Sequence, residues 1–112
     1  MSARRNRAEE LGRRLREERI ARGMNQRELA QAVSEVTQGP VDQPRFSRIE
    51  KGRTLPSIPL LDEIAEALDP DDGLLAAKLM MDTEAAEVVT AHQRGGIMGV
   101  ADWLARKLSG RR

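Results

Sequence analysis

Apolar residues recur at helical rather than strand spacing along most of the chain and are interrupted by Gly and Pro, which predicts a succession of short amphipathic helices. Leu11 and Leu15 stand one turn apart among Arg and Glu and predict a first helix over 8–22, stopped at Gly23. Glu18 falls where that stripe would continue, so the stripe is short. Asn25 followed three residues later by Glu28 has the form of a capping box, and it opens a second helix with Leu29, Ala30 and Val33 as its buried face. Ser34 to Pro40 ends in Gly-Pro, which cannot stay helical, so the stretch reads as a loop. Asp42 is a good N-cap for a third helix, which tolerates Pro44 in its first turn, turns Phe46 and Ile49 to the core and ends at Gly52. Ser57 caps a fourth, running through Leu68 and burying Ile58, Leu61, Ile64, Ala65 and Leu68.

Asp69-Pro70 breaks the chain again, and Asp71 or Asp72 begins a short fifth helix over Leu74, Leu75 and Leu79. A further cap around Asp82–Thr83 opens a helix to about Gln93, stopped by Gly95-Gly96. The last helix covers 97–108, with Ile97, Val100, Ala101, Leu104 and Leu108 at helical spacing. Residues 1–7 carry three arginines and no apolar periodicity, and are expected to be a flexible basic arm. The expected organisation is therefore the arm (1–7), one compact domain (8–82) and a helical C-terminal extension (83–112).

Composition agrees with an all-α chain. The 112 residues are 39% hydrophobic, leaning on Ala and Leu, with one Phe, one Trp and no Tyr, which favours helices packed through aliphatic ridges over an aromatic-rich sandwich. That length suits one core and not two. Without cysteine there is neither a disulfide framework nor a thiolate metal site. No apolar run approaches a membrane span, and the start MSARRNRAEE lacks the hydrophobic region of a signal peptide, so a cytoplasmic protein with no membrane partner is expected. The net charge of +1 conceals a division. Residues 1–60 hold 13 Lys and Arg against 8 Asp and Glu, whereas 61–112 hold 6 against 10, so the N-terminal half is the end suited to a polyanion.

Two consecutive helices, the second offering Gln43, Arg45 and Arg48 on the side opposite Phe46 and Ile49, are what a helix-turn-helix reader of DNA requires. A solvated helix face is the alternative. At this point the chain resembles the lambda-repressor-like helix-turn-helix family, the Cro/C1 and xenobiotic-response-element type of regulator. The resemblance rests on Arg19-Ile20, Gly23-Met24-Asn25-Gln26, Glu28-Leu29-Ala30, Phe46-Ser47-Arg48-Ile49-Glu50-Lys51-Gly52, Pro56-Ser57-Ile58 and Ile64-Ala65-Glu66-Ala67-Leu68, over about Leu11 to Leu79. It implies a five-helix DNA-binding domain in which Gln26 anchors to a phosphate and Gln43 is the main base reader, its amide suited to the N6/N7 edge of adenine. Arg48 then faces the groove, Arg45 flanks it for base or phosphate, and Lys51 and Arg53 meet the backbone. With Ser47 on the same helix, the candidate DNA-binding set is Gln26, Gln43, Arg45, Ser47, Arg48, Lys51 and Arg53. The resemblance also implies that Arg19 and Glu50 form an ion pair between the first and third helices, and that Ala30 is the small residue at the crossing of the motif helices. One departure is the connection Ser34 to Pro40, about six residues longer than the family's short turn. It lies on the phosphate backbone, touches a partner or bulges into solvent.

Elsewhere the chemistry is sparse. His92 has no second imidazole, and Glu84 and Glu87 fall off its i±4 positions, so no metal site is expected. There is no Ser/His/acid or Cys/His set and no glycine-rich phosphate loop, hence no enzyme and no cofactor. Arg4, Arg5 and Arg7 either reach a minor groove or phosphates, or fray. A single module reads too few base pairs for genomic specificity, so a homodimeric repressor on palindromic double-stranded DNA is expected. Its dimer interface is expected at Ile97, Val100, Trp103, Leu104 and Leu108, unless that tail packs on its own core. The alternatives are an antitoxin whose tail binds a toxin protein, and an interaction adaptor that has lost DNA reading.

Overall fold

A computed structural model describes residues 3–81 and 83–110, with side chains from Asn6 onward except at 83 and 84. Met1, Ser2, the Arg4 and Arg5 side chains and the expected cap Asp82 lie outside the described residues. Six helices follow one another among the described residues: α1 (Ala3–Ala21), α2 (Gln26–Thr37), α3 (Gln43–Glu50), α4 (Ile58–Leu68), α5 (Leu75–Met80) and α6 (Thr83–Ser109). They fall into two compact units, the first ending at Leu79 and the second beginning at Met80, three residues before the expected boundary. No helix among the described residues is long and apolar enough to cross a membrane.

The caps form as their chemistry requires. Asn25 Oδ1 accepts from the Glu28 amide at 2.8 Å while Glu28 Oε1 accepts from the Asn25 amide at 3.0 Å, closing the capping box. Asp42 accepts from the Arg45 amide and Ser57 from the Leu60 amide, each with a proline early in the following turn. These starts fix where three helices begin, and their apolar faces then meet in one core. Leu15, Leu29, Val33, Phe46 and Ile64 have no solvent exposure, and Ile49 and Leu61 almost none. Each such side chain contributes about 1.5–3 kcal/mol relative to exposure. α2 packs on α3 and α4, and α1 on α3.

Four details differ from the sequence reading. α1 starts at Ala3, so the expected arm is helical over most of its length, and Ala8 is buried; Arg, Asn and Ala are compatible with a helix that a buried residue anchors. α2 does not stop at Val33 but runs on through Thr37, and the connection to α3 is only residues 38–42. Pro40 forbids helix immediately before itself and not four residues earlier. Gln38 takes the left-handed cap at φ 56°, Ser34 Oγ donates to the Ala30 carbonyl and accepts from the Val41 amide, both at 3.0 Å, and Thr37 Oγ1 accepts from the Gly39 amide. Ile58, expected inside, is 66% exposed, and Leu60 is buried instead, because the first turn after Ser57 points its leading residue outward. Leu74 is likewise exposed ahead of α5, whereas Leu75 and Leu79 are buried.

The second unit is α6, bent where the glycines predict. Gly95 (φ −144°, ψ 16°) and Gly96 (φ 59°, ψ −144°) leave helical geometry, dividing it into arms 83–94 and 97–109. The arms approach closely, since a Cβ on Gly99 would lie 2.2 Å from the Ala91 carbonyl oxygen. Glu87 Oε2 accepts from Trp103 Nε1 and from Lys107 Nζ, both at 3.0 Å, fastening one arm to the other.

Candidate nucleic-acid interface

The α3 helix is held from behind. Gly12 of α1 lies against the last turn of α3, where a Cβ would come 2.4 Å from the Ile49 carbonyl oxygen and 2.7 Å from that of Glu50. Only a glycine admits that approach, and it brings Arg19 into reach of Glu50. Arg19 Nε donates to Glu50 Oε2 at 2.7 Å and Nη2 to Oε1 at 2.9 Å, while Nη1 donates to the Met24 carbonyl at 2.7 Å. The Glu50 hydrogen bond raises the Arg19 guanidinium further above its ordinary value, against the opposing effect of burial. This is the α1 to α3 ion pair that the resemblance implied, and it is a bidentate one.

Gln26 belongs to the same network. Its Nε2 donates to Glu50 Oε1 at 3.2 Å, and the second amide hydrogen is left for an outside acceptor. Also on α1, Arg14 is buried and donates to the carbonyls of Lys78 and Leu79 at 3.1 and 3.3 Å, satisfying the C-terminal end of α5. Gly12 and Arg14 carry no signal in the local pattern. Gly12 looks like a weak helix residue and Arg14 like one more solvated charge.

The outward side of α3 is different in character. Gln43, Arg45 and Arg48 are exposed, as are Lys51 and Arg53 in the turn that follows, and Ser47 is half-buried. Arg45, Arg48, Lys51 and Arg53 have no carboxylate partner among the described residues. The two carboxylates nearest them in sequence are engaged, Asp42 on the Arg45 amide and Glu50 on Arg19. The surface therefore presents guanidinium, ammonium and amide donors with no acid among them to compete, a composition suited to phosphate oxygens and guanine or adenine edges. Gly52 (φ 74°) makes the turn that carries Lys51 and Arg53 and approaches the Glu9 backbone of α1.

In the second unit, Ile97, Leu104 and Leu108 are 78%, 46% and 65% exposed, while Val100 and Trp103 are half-buried. Trp103 is turned toward Glu87, and Lys107 Nζ stands 5.9 Å from its ring centroid. The five residues expected at a subunit contact thus lie on one arm with part of their stripe open.

Residues 10–77 match the helix-turn-helix domain family, from α1 through the middle of α5. No curated protein and no solved structure matches the chain.

Proposed function

The chain belongs to the helix-turn-helix domain family, and from that premise we propose that it is a sequence-specific DNA-binding transcriptional regulator, acting as a homodimeric repressor on a palindromic operator. The observation that carries this reading is the exposed side of α3, where Gln43, Arg45, Arg48, Lys51 and Arg53 stand with no carboxylate partner among the described residues. A helix so furnished and anchored by a buried ion pair is pre-organised to enter a major groove. Gln43 and Arg48 would read bases, Arg45 base or phosphate, and Gln26, Lys51 and Arg53 the backbone. Dimerisation through Ile97, Val100, Trp103, Leu104 and Leu108 is supported by the exposure of the first, fourth and fifth of these. Two copies double the number of base pairs read, and repression needs only occupancy of a promoter.

Protection mapping on DNA upstream of the protein's own gene tests the reading, followed by binding of variants to the protected site and to random duplex. Gln43→Ala and Arg48→Ala should each reduce the preference for the site by about 1–3 kcal/mol, while Arg53→Ala should weaken binding to all DNA alike. Equal losses on cognate and random duplex for Gln43→Ala would remove it from the base readers. No protected site and no duplex binding would overturn the DNA reading.

A further inference from the structure

The face of α2 beside α3 carries a cation that the candidate set omits. Arg27 is exposed, and it lines a cleft of about 460 Å³ together with Gln31, Glu35 and Gln43, over a floor of Ala30 and Val41. On α1 and α6, Arg13 is matched to Glu10 and Glu17 and Arg106 to Asp102, each within one turn. Arg27 has Gln31 at that position, and no carboxylate partner among the described residues. Its neighbour Glu28 is occupied by the capping box.

We propose that Arg27, assisted by Gln31, is a clamp for the DNA sugar-phosphate strand that flanks the bases offered to Gln43. The proposal rests on the DNA-binding reading above. A duplex that presents base edges to Gln43 has a phosphate strand on each side of the major groove. The cleft is lined both by Gln43 and by the Arg27–Gln31 flank of α2, and the proposal lays one of those strands along it. Arg27 and Gln31 are i and i+4 on one helical face and donate together. Glu35 lies one turn beyond Gln31, about 12 Å along the helix from Arg27, and its charge repels phosphate. The cleft is thus polarised along its length, with the strand held at the Arg27 end and turned away at the Glu35 end.

The test is fluorescence anisotropy with a labelled mixed-sequence duplex of about two helical turns, titrated with the full chain at salt concentrations between about 50 and 200 mM. Arg27→Ala should lower affinity on every sequence alike and take about 0.9 per bound subunit off the slope of log affinity against log salt, so that the fall in affinity over that range is about threefold smaller for each subunit bound. Arg27→Lys should restore most of the slope, and Glu35→Gln should tighten binding without altering sequence preference. Because Arg27 is exposed, unchanged melting of the variants certifies the fold. Wild-type binding combined with an unchanged slope in Arg27→Ala overturns the clamp and leaves the DNA reading intact. A loss confined to one sequence overturns it as well, by making Arg27 a base contact. A wild-type chain that binds no duplex overturns both.

Discussion

Removing Glu50 should unfold the DNA-binding unit before it alters what that unit reads. The Glu50 side chain is 3% exposed and that of Arg19 10%, so truncation to alanine leaves a guanidinium in a pocket with one remaining partner, the Met24 carbonyl. Two charge-assisted bonds at 2.7 and 2.9 Å are lost, and the Gln26 amide loses its acceptor. Breaking a buried pair from one side costs about 3–5 kcal/mol; the slight exposure of Arg19 admits water and favours the lower figure. In a unit of this size each kcal/mol lowers the melting temperature by about 4–8 °C, so Glu50→Ala should melt on the order of 10–25 °C below wild type. Glu50→Gln keeps an acceptor oxygen and should fall between the two. Far-UV circular dichroism gives the melting temperatures, and binding at a temperature where all three proteins are folded gives the base preference, which should be unchanged. A Glu50→Ala protein that melts with wild type while its base preference shifts would refute the anchoring role and move Glu50 to the DNA surface.

Gly12→Ala should lower the melting temperature, because its Cβ meets backbone oxygens of α3; overpacking of about 1–3 kcal/mol outweighs the gain of about 1 kcal/mol in helix propensity, and an equal or higher melting temperature would disprove the close crossing. Glu87 is held below its ordinary value of 4.5, first by the Lys107 hydrogen bond and then by that of Trp103. A depressed carboxyl stabilises fully above its ordinary value and loses that stabilisation as pH falls through its folded value, so Trp103 emission should hold steady at neutral pH and change below 4.5. Persistence of that step in Glu87→Gln would assign it elsewhere. Truncation after Arg94 removes the exposed stripe and should leave a folded monomer that occupies one half-site weakly. Sedimentation decides that case, since a truncated chain that stays dimeric places the interface on the first unit.

What could be read in advance was whatever local chemistry determines. Asn25 with Glu28, Asp42 before Pro44 and Ser57 before Pro59 satisfy backbone amides within a turn of themselves, so their helices begin where the residues say. The Gly95-Gly96 break was legible for the same reason. What escaped depends on distant partners. Arg14 is buried because carbonyls more than sixty positions away need donors, and Gly12 is required by a helix that arrives thirty-odd residues later. The end of α2 was misjudged differently: Ser34 and Thr37 look like loop formers, yet their hydroxyls serve the last turn and the connection itself. At the candidate interface, the side chains of α3 followed from its apolar spacing. Arg27 did not, since it is set apart by the cleft that it shares with Gln43, which forms only once α2 and α3 are folded together.

The bend of α6 has a consequence for how copies of the chain relate. Gly96, at φ 59° and ψ −144°, occupies a region essentially closed to residues with a Cβ. A substitution such as Gly96→Ala therefore favours one continuous rod of about 40 Å over 27 residues. In a rod, Trp103 and Lys107 cannot reach Glu87 of their own chain, but the same residues of a second copy can, by exchange of identical segments. One torsion then separates a chain that closes on itself from one that closes on its neighbour. Size-exclusion chromatography of Gly96→Ala at rising concentration should show the exchanged species, and an unchanged elution profile would show that the bend does not decide between them.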